Sequence, residues 1–211
     1  GFNKAKHGVR GDGRVVDGGG RHALDLDLGR ASQALRHALN DLVEAIDDAP
    51  AHADADFIER FGVPDVVIAN AGISRGALTD EPGDLPTFRA VMDTNVLGIV
   101  YTFAPFVAAM RQARAGALVG IASIAGFRGI PGSGAYSASK AAAITYLESL
   151  RVELVGSGVS VVTVCPGFIA TPLTARNPYA MPFILAPEKA AALIARAIAR
   201  RRRFYVLPWQ M

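Results

Sequence analysis

The sequence predicts an α/β protein built on a doubly wound parallel sheet with helices on both faces. Two observations carry that reading. From about Asp56 onward, short apolar β-branched runs alternate with longer stretches of helical periodicity. Each apolar run is continuous rather than alternating, as expected of strands covered on both sides.

Val63 to Ala69 is opened by a Gly-Val-Pro-Asp turn and reads as the first clear strand. Leu85 to Arg114 reads as a long helix, with Pro105 as a candidate kink because proline removes a helix donor. Ala117 to Ala122 is a second buried strand. Tyr136 to Val155 is an Ala-rich helix closed by Gly156 and Gly158. Val159 to Val164 is a third strand, stopped by Pro166-Gly167. Pro187 to Arg202 is a helix whose Pro187 and Glu188 suit its first turn, and Phe204 to Leu207 is a last short strand.

Composition narrows the function classes. The 211 residues suit one α/β domain, and 51% hydrophobic with 19% charged residues is ordinary for a globular protein. The net charge of +3 is too mild to point to nucleic acid. The densest basic run, Arg200 to Arg203, reads better as cations complementing the C-terminal end of a helix than as a phosphate-binding patch. The single cysteine, Cys165, allows no disulfide within the chain and reads as a small buried hydrophobe. The longest nearly uncharged apolar stretch, Leu97 to Met110, is too short for a membrane span. No secretory signal is visible in Gly1 to Arg10, and a cytoplasmic location is expected. The first residue is Gly1 rather than Met, so a missing or processed N-terminus is expected.

Residues 1–55 differ in character from residues 56–211, and the two stretches are expected to be parts of the same single domain. The first segment holds eight glycines, all four histidines and one aromatic, Phe2. Val15-Val16 before Gly18-Gly19-Gly20 reads as a short strand and turn, and Ala34 to Ile46 has helical periodicity. His7, His22, His37 and His52 are evenly spaced, but their flanks do not repeat, and none has a second histidine three or four residues away. Neither a solenoid nor a metal site is expected.

The strongest chemical signal is Tyr136-Ser137-Ala138-Ser139-Lys140. Residues four apart on a helix share a face, and an ammonium beside a phenol favours the phenolate, as proton exchange near neutral pH requires. Alone, Tyr-x-x-x-Lys describes a buried tyrosine and a solvated lysine equally well. Its surroundings decide. Ser123 ends a buried strand, where open α/β sheets bind ligands. Asn95 sits inside a predicted helix, a position its propensity disfavours. Asn70-Ala71-Gly72 follows the first clear strand, and Pro166-Gly167 follows the third.

With these pieces in this order, the stretch from about Asp56 to Met211, roughly three quarters of the chain, resembles the short-chain dehydrogenase/reductase family. The resemblance implies a Rossmann-like fold and an NAD(P)(H)-dependent oxidoreductase interconverting a small carbonyl and an alcohol, with NADP(H) or NAD(H) as cofactor. It implies that Tyr136 is the general acid/base, that Lys140 lowers its pKa and binds the nicotinamide ribose, that Ser123 holds the substrate oxygen, and that Asn95 orders a water in a proton relay. It places Asn70, Ala71, Gly72, Tyr136, Lys140, Pro166, Gly167, Ile169 and Thr171 against the cofactor. It makes Thr171 to Ala186 a substrate loop, in which Leu173, Pro178, Tyr179, Met181, Pro182, Phe183 and Ile184 either form a partly apolar wall or pack the loop down. It implies a homodimer or homotetramer paired through the Tyr136 helix, where Ala138, Ala141 and Ala142 permit close approach, and the long helix before it.

The sequence departs from the family at one point. No Thr-Gly-x-x-x-Gly-x-Gly turn, the turn that holds a pyrophosphate, precedes Asn70. Gly8-Val9-Arg10-Gly11-Asp12-Gly13 has the wrong spacing, and the segment before Asn70 is short by about one supersecondary unit. A frame-shifted gene, a natural rebuilt N-terminus and omitted or misassigned residues all fit. The choice between NAD and NADP therefore stays open, and two other functions stand beside the enzyme: a catalytically impaired relic acting as scaffold or binding module, and a nucleotide-sugar epimerase, for which little chain remains after Gly167.

Overall fold

Four apolar runs pair side by side to make a parallel sheet. The computed structural model describes residues 53–175, 177 and 180–211. The strands are β1 (Val66–Ala69), β2 (Ala117–Ile121), β3 (Ser160–Pro166) and β4 (Phe204–Leu207). They lie in the order β1-β2-β3-β4, every pair parallel. Parallel neighbours need crossovers, and helices supply them. Helix α1 (Ala53–Phe61) precedes β1. Helices α2 (Leu85–Met92) and α3 (Gly98–Ala113) link β1 to β2, α4 (Gly134–Glu153) links β2 to β3, and α5 (Pro187–Ala199) links β3 to β4. The architecture is Rossmann-like. The doubly wound arrangement and the strand and helix expected in residues 1–52 concern residues outside the described ones.

Alternation along the strands divides the core in two. Val67, Ala69, Leu118 and Val161 face α3 and α4, against Ile99, Phe103, Met110, Ala143, Leu147 and Leu150. Val119, Val162, Val164 and Leu207 face the other way, against Ala190 and Ile198 of α5. The continuous apolar runs of β2 and β3 are thus explained, because these two strands bury both of their faces. Gly120 is a point of close approach between β2 and α4: a Cβ there would collide with the Leu147 side chain of α4. Arg151 ties α4 to the sheet, its guanidinium donating to the Val161 carbonyl (3.1 Å), Thr163 Oγ1 (2.6 Å) and the Arg203 carbonyl (2.8 Å).

Several boundaries differ from the sequence reading. β1 begins at Val66, three residues late, because Pro64 has no N–H to give to a ladder. α4 begins two residues early, at Gly134, and α5 stops at Ala199, leaving Arg200 to Arg202 beyond its end. The long helix is interrupted, but not at Pro105, which α3 carries in its interior. The interruption is a π turn at Asp93–Leu97, where the Gly98 N–H reaches back to the Asp93 carbonyl. The whole helical run Pro82–Ala113 has the length and composition of a membrane-crossing helix, with hydropathy 1.4 over its most apolar window. It is longer than the stretch the sequence reading considered, yet it carries Asp84, Arg89 and Asp93 and packs Ile99, Phe103 and Met110 into the core as a domain helix does.

Candidate active site

All four strands point the same way, so the chain leaves them at one edge of the sheet. Asn70-Ala71-Gly72 leaves β1 there, Ser123 lies two residues past β2, and Pro166-Gly167 ends β3. The first two turns of α4 begin at the same edge and bring Tyr136 and Lys140. Gly126 lets the turn after Ser123 lie directly on α4, since a Cβ would stand 2.8 Å from the Lys140 carbonyl carbon and 2.9 Å from the Ala141 nitrogen.

Lys140 is the buried charge of this edge, only 4% exposed. Its Nζ donates to the Ile121 carbonyl at 2.9 Å and lies 5.7 Å from the centroid of the Tyr136 ring. Burial lowers its pKa from 10.5 to about 8, opposed by Cys165 beside it. Cys165 is fully buried, as the sequence reading expected, and its thiol is pushed up to about 12 by that burial. A thiol so placed is neutral at pH 7 and gives Lys140 no counter-ion.

Asn95 is also fully buried, inside the π turn. Its Oδ1 accepts from the Ile73 N–H at 2.8 Å, and its Nδ2 donates to the Ile73 carbonyl and to Ser139 Oγ, each at 2.9 Å. This explains an asparagine in mid-helix: it pairs with the loop leaving β1 as a strand would. The wider π turn accompanies it, and such turns are frequent at functional sites. Gly72, next in line, would carry a Cβ 3.3 Å from Asn95 Oδ1 and 3.4 Å from Lys140 Nζ. Asn95, Lys140 and Gly72 therefore meet at one point.

Ser123 is nearly buried, and its Oγ accepts from the Ala125 N–H (3.1 Å) while donating a long bond to the Pro166 carbonyl (3.4 Å). It caps the short turn Ile124–Gly126 and joins the ends of β2 and β3. Ile169 forms an isolated bridge to Leu185, and Thr171 donates its N–H to Thr174 Oγ1. In the loop beyond, Leu173, Phe183 and Ile184 are exposed; Pro178 and Tyr179 lie outside the described residues.

Sequence reasoning missed Ser139, which bonds both Asn95 and the Tyr136 carbonyl. A serine inside an Ala-rich helix was the available signal, because such a residue competes for backbone bonds unless tertiary structure uses it. It also missed Thr174, whose hydroxyl holds the Ile169 to Thr171 turn. A concavity of about 540 Å³ bounded by Phe127, Arg128, Ile130, Ala138 and Ala141 lies on another face of α4. Tyr136 and Lys140 do not line it, so the chemistry is not placed there.

A family model described as short chain dehydrogenase matches residues 32–180. The chain belongs to the short chain dehydrogenase family. The match starts at residue 32, inside the segment of unusual composition. This short chain dehydrogenase is 42% identical over 147 residues to an uncharacterized oxidoreductase of Myxococcus xanthus, covering 70% of this chain and 58% of that protein. It is 37% identical over 118 residues to a 3-oxoacyl-[acyl-carrier-protein] reductase of Chlamydia muridarum, covering 56% of this chain and 47% of that one. The chain thus spans about half the length of these curated relatives. Among solved structures, a short-chain dehydrogenase from Streptomyces avermitilis superposes with a TM-score of 0.64 at 25% identity, covering 82% of this chain and 77% of that one.

Proposed function

We propose that this short chain dehydrogenase is an NAD(P)(H)-dependent oxidoreductase interconverting a small carbonyl compound and its alcohol. The observation that carries the reading is the pair Tyr136 and Lys140 on one face of α4, with Nζ 5.7 Å from the ring and Asn95, Gly72 and the turn after Ser123 packed around it.

In reduction, the Tyr136 hydroxyl gives its proton to the substrate oxygen; in oxidation, the phenolate takes the alcohol proton. Lys140 favours that phenolate electrostatically in a dry setting. Ser123 holds the substrate oxygen. Asn95 keeps the loop after β1 against Lys140.

The residues present fit a nicotinamide cofactor. Among the described residues, Lys140 spends one of its three N–H donors, on Ile121, which leaves two for a ribose. Gly72 is exposed, and it has no side chain to stand between a ligand and the ammonium. Asn70, Ala71, Gly72, Pro166, Gly167, Ile169 and Thr171 would hold the cofactor, which supplies the hydride when bound. NADP(H) and NAD(H) are both candidates, since the residues that choose between them fall before β1.

The test is turnover of a panel of ketones and alcohols with each nicotinamide, with Tyr136→Phe as the comparison. Nicotinamide-dependent activity that Tyr136→Phe removes supports the reading, and equal activity in both proteins contradicts it. A catalytically impaired relic acting as scaffold or binding module is the second reading. It predicts a folded protein that binds no nicotinamide. A homodimer or homotetramer through α3 and α4 is proposed as well, and sedimentation showing only monomer at high concentration counts against it.

A further inference from the structure

Gly167 has no side chain, and the space a side chain would fill is already taken. A Cβ there would stand 3.1 Å from Met211 Cγ and 3.2 Å from Met211 Cε. The thioether therefore lies directly on the Gly167 backbone. Two bonds bring it there. The Gly167 N–H donates to the Leu207 carbonyl at 2.7 Å and holds the end of β4 against the end of β3. The Met211 N–H then reaches back to the Pro208 carbonyl at 3.1 Å, closing a four-residue turn. Trp209 and Gln210, at the corners of the turn, are exposed, and Met211 comes back half-buried.

The pleat of β3 fixes the face on which this happens, because residues of one parity share a face. Thr163 is held by Arg151 of α4, and Cys165 lies beside Lys140 of α4. The ladder to β4 runs on past both in step: the Thr163 N–H bonds the Arg203 carbonyl at 3.0 Å, as the Gly167 N–H bonds that of Leu207. Gly167 therefore opens to the α4 side, the side that carries Tyr136 and Lys140. One residue earlier, the Pro166 carbonyl accepts from the Ser123 hydroxyl at 3.4 Å. Met211 thus lies on the Tyr136 side of the sheet edge, beside the strand end that Ser123 joins.

We propose that Met211 is a specificity-determining residue: its side chain forms the wall beside Gly167 that the substituent on the substrate's carbonyl carbon meets. The proposal rests on the oxidoreductase reading above. Methionine is apolar, unbranched and polarisable, so the wall suits a hydrocarbon substituent and adapts to its shape. A residue of the turn after β4 then shares the choice of substrate with the loop from Thr171 to Ala186, although 40 positions separate it from Thr171.

The experiment has one arm that needs turnover and one that does not. In the first, kcat/KM is measured for acetone and for acetophenone with each nicotinamide. Met211→Ala should raise the acetophenone-to-acetone ratio about tenfold, the scale of a few methylenes in an apolar pocket. Met211→Phe should lower it. A merely structural role weakens both ketones alike and leaves the ratio where it was. An unchanged ratio in folded Met211→Ala overturns the proposal, and if that variant does not fold, an unchanged ratio in Met211→Phe does so. In the second arm, carbon-13 labelling of the methionine methyl groups gives signals from Met92, Met110, Met181 and Met211, and Met211→Leu assigns the last. Gly167 has no positive φ, so Gly167→Ala adds a Cβ without backbone strain. It should move the Met211 signal more than that of the fully buried Met110. A Met211 signal unmoved in folded Gly167→Ala overturns the proposal whatever the turnover. A wild type that turns over no ketone with either nicotinamide overturns the oxidoreductase reading and the wall together, and the missing turnover distinguishes that result from failure of the wall alone.

Discussion

Lys140 Nζ lies 2.9 Å from the carbonyl oxygen of Ile121, the last residue of β2. The bond joins the helix that carries Tyr136 to the strand that leads to Ser123, and it fixes a cation where the sheet opens. A lysine stem of four carbons crosses the packed layer between α4 and β2 to make it, so the charge arrives desolvated.

That desolvation makes Lys140 a stability liability with a defined pH window. Its pKa falls from 10.5 to about 8 in the folded chain. Between those values the unfolded chain binds more protons than the folded one. The contribution of this group to stability therefore rises as pH rises through the window, and is lost as pH falls through 8. The gap corresponds to about 3 kcal/mol at most. Urea unfolding should show Lys140→Met relatively more favourable against the wild type near pH 7 than near pH 10.

Tyr136→Phe keeps the ring and removes the acid. Loss of a positioned general acid costs about 10² to 10⁴-fold in rate. Nicotinamide turnover should fall by that amount while the melting temperature stays within a few degrees, as checked by steady-state kinetics and circular dichroism.

Asn95→Ala leaves the Ile73 N–H and carbonyl, both partly buried, and one side of the buried Ser139 without their partner. Each orphaned buried group costs about 1–3 kcal/mol. Denaturant unfolding should show a loss of roughly 3 kcal/mol or more, and hydrogen exchange at the Ile73 amide should accelerate.

Gly158→Ala should be the most damaging glycine substitution tested. Gly158 has φ +87, and a Cβ there would collide with the backbone carbonyl of Arg114, which has no flexible end to move aside. At Gly120→Ala the nearest atoms are those of the Leu147 side chain, which can shift. Overpacking of that kind costs about 1–3 kcal/mol, and Gly158→Ala should exceed it in the same unfolding assay.

What the sequence made legible followed from local chemistry. Phe204 to Leu207 is a strand with the expected ends, and Gly156 and Gly158 close α4 with positive φ as their type suggests. The Tyr136 and Lys140 pair, four apart, does share a helix face. What stayed hidden depends on partners far away in the chain. The π turn at Asp93–Leu97 accompanies Asn95 reaching Ile73, 22 residues back, and Ser139 accepts a hydrogen bond from Asn95, 44 residues away. Periodicity within a window registers neither. Pro105 drew attention as a candidate kink because its effect is local, while the interruption followed a tertiary bond. Residues 1–52 lie outside the described structure, and no local pattern in them supplied a cofactor turn.

Titration of the purified chain with NADPH and then NADH, following nicotinamide fluorescence, tests the proposed function most directly. The proposal predicts saturable binding of at least one at micromolar concentration, weakened by Lys140→Met. A folded wild-type chain that binds neither, with a melting temperature unmoved by millimolar nicotinamide, would contradict it.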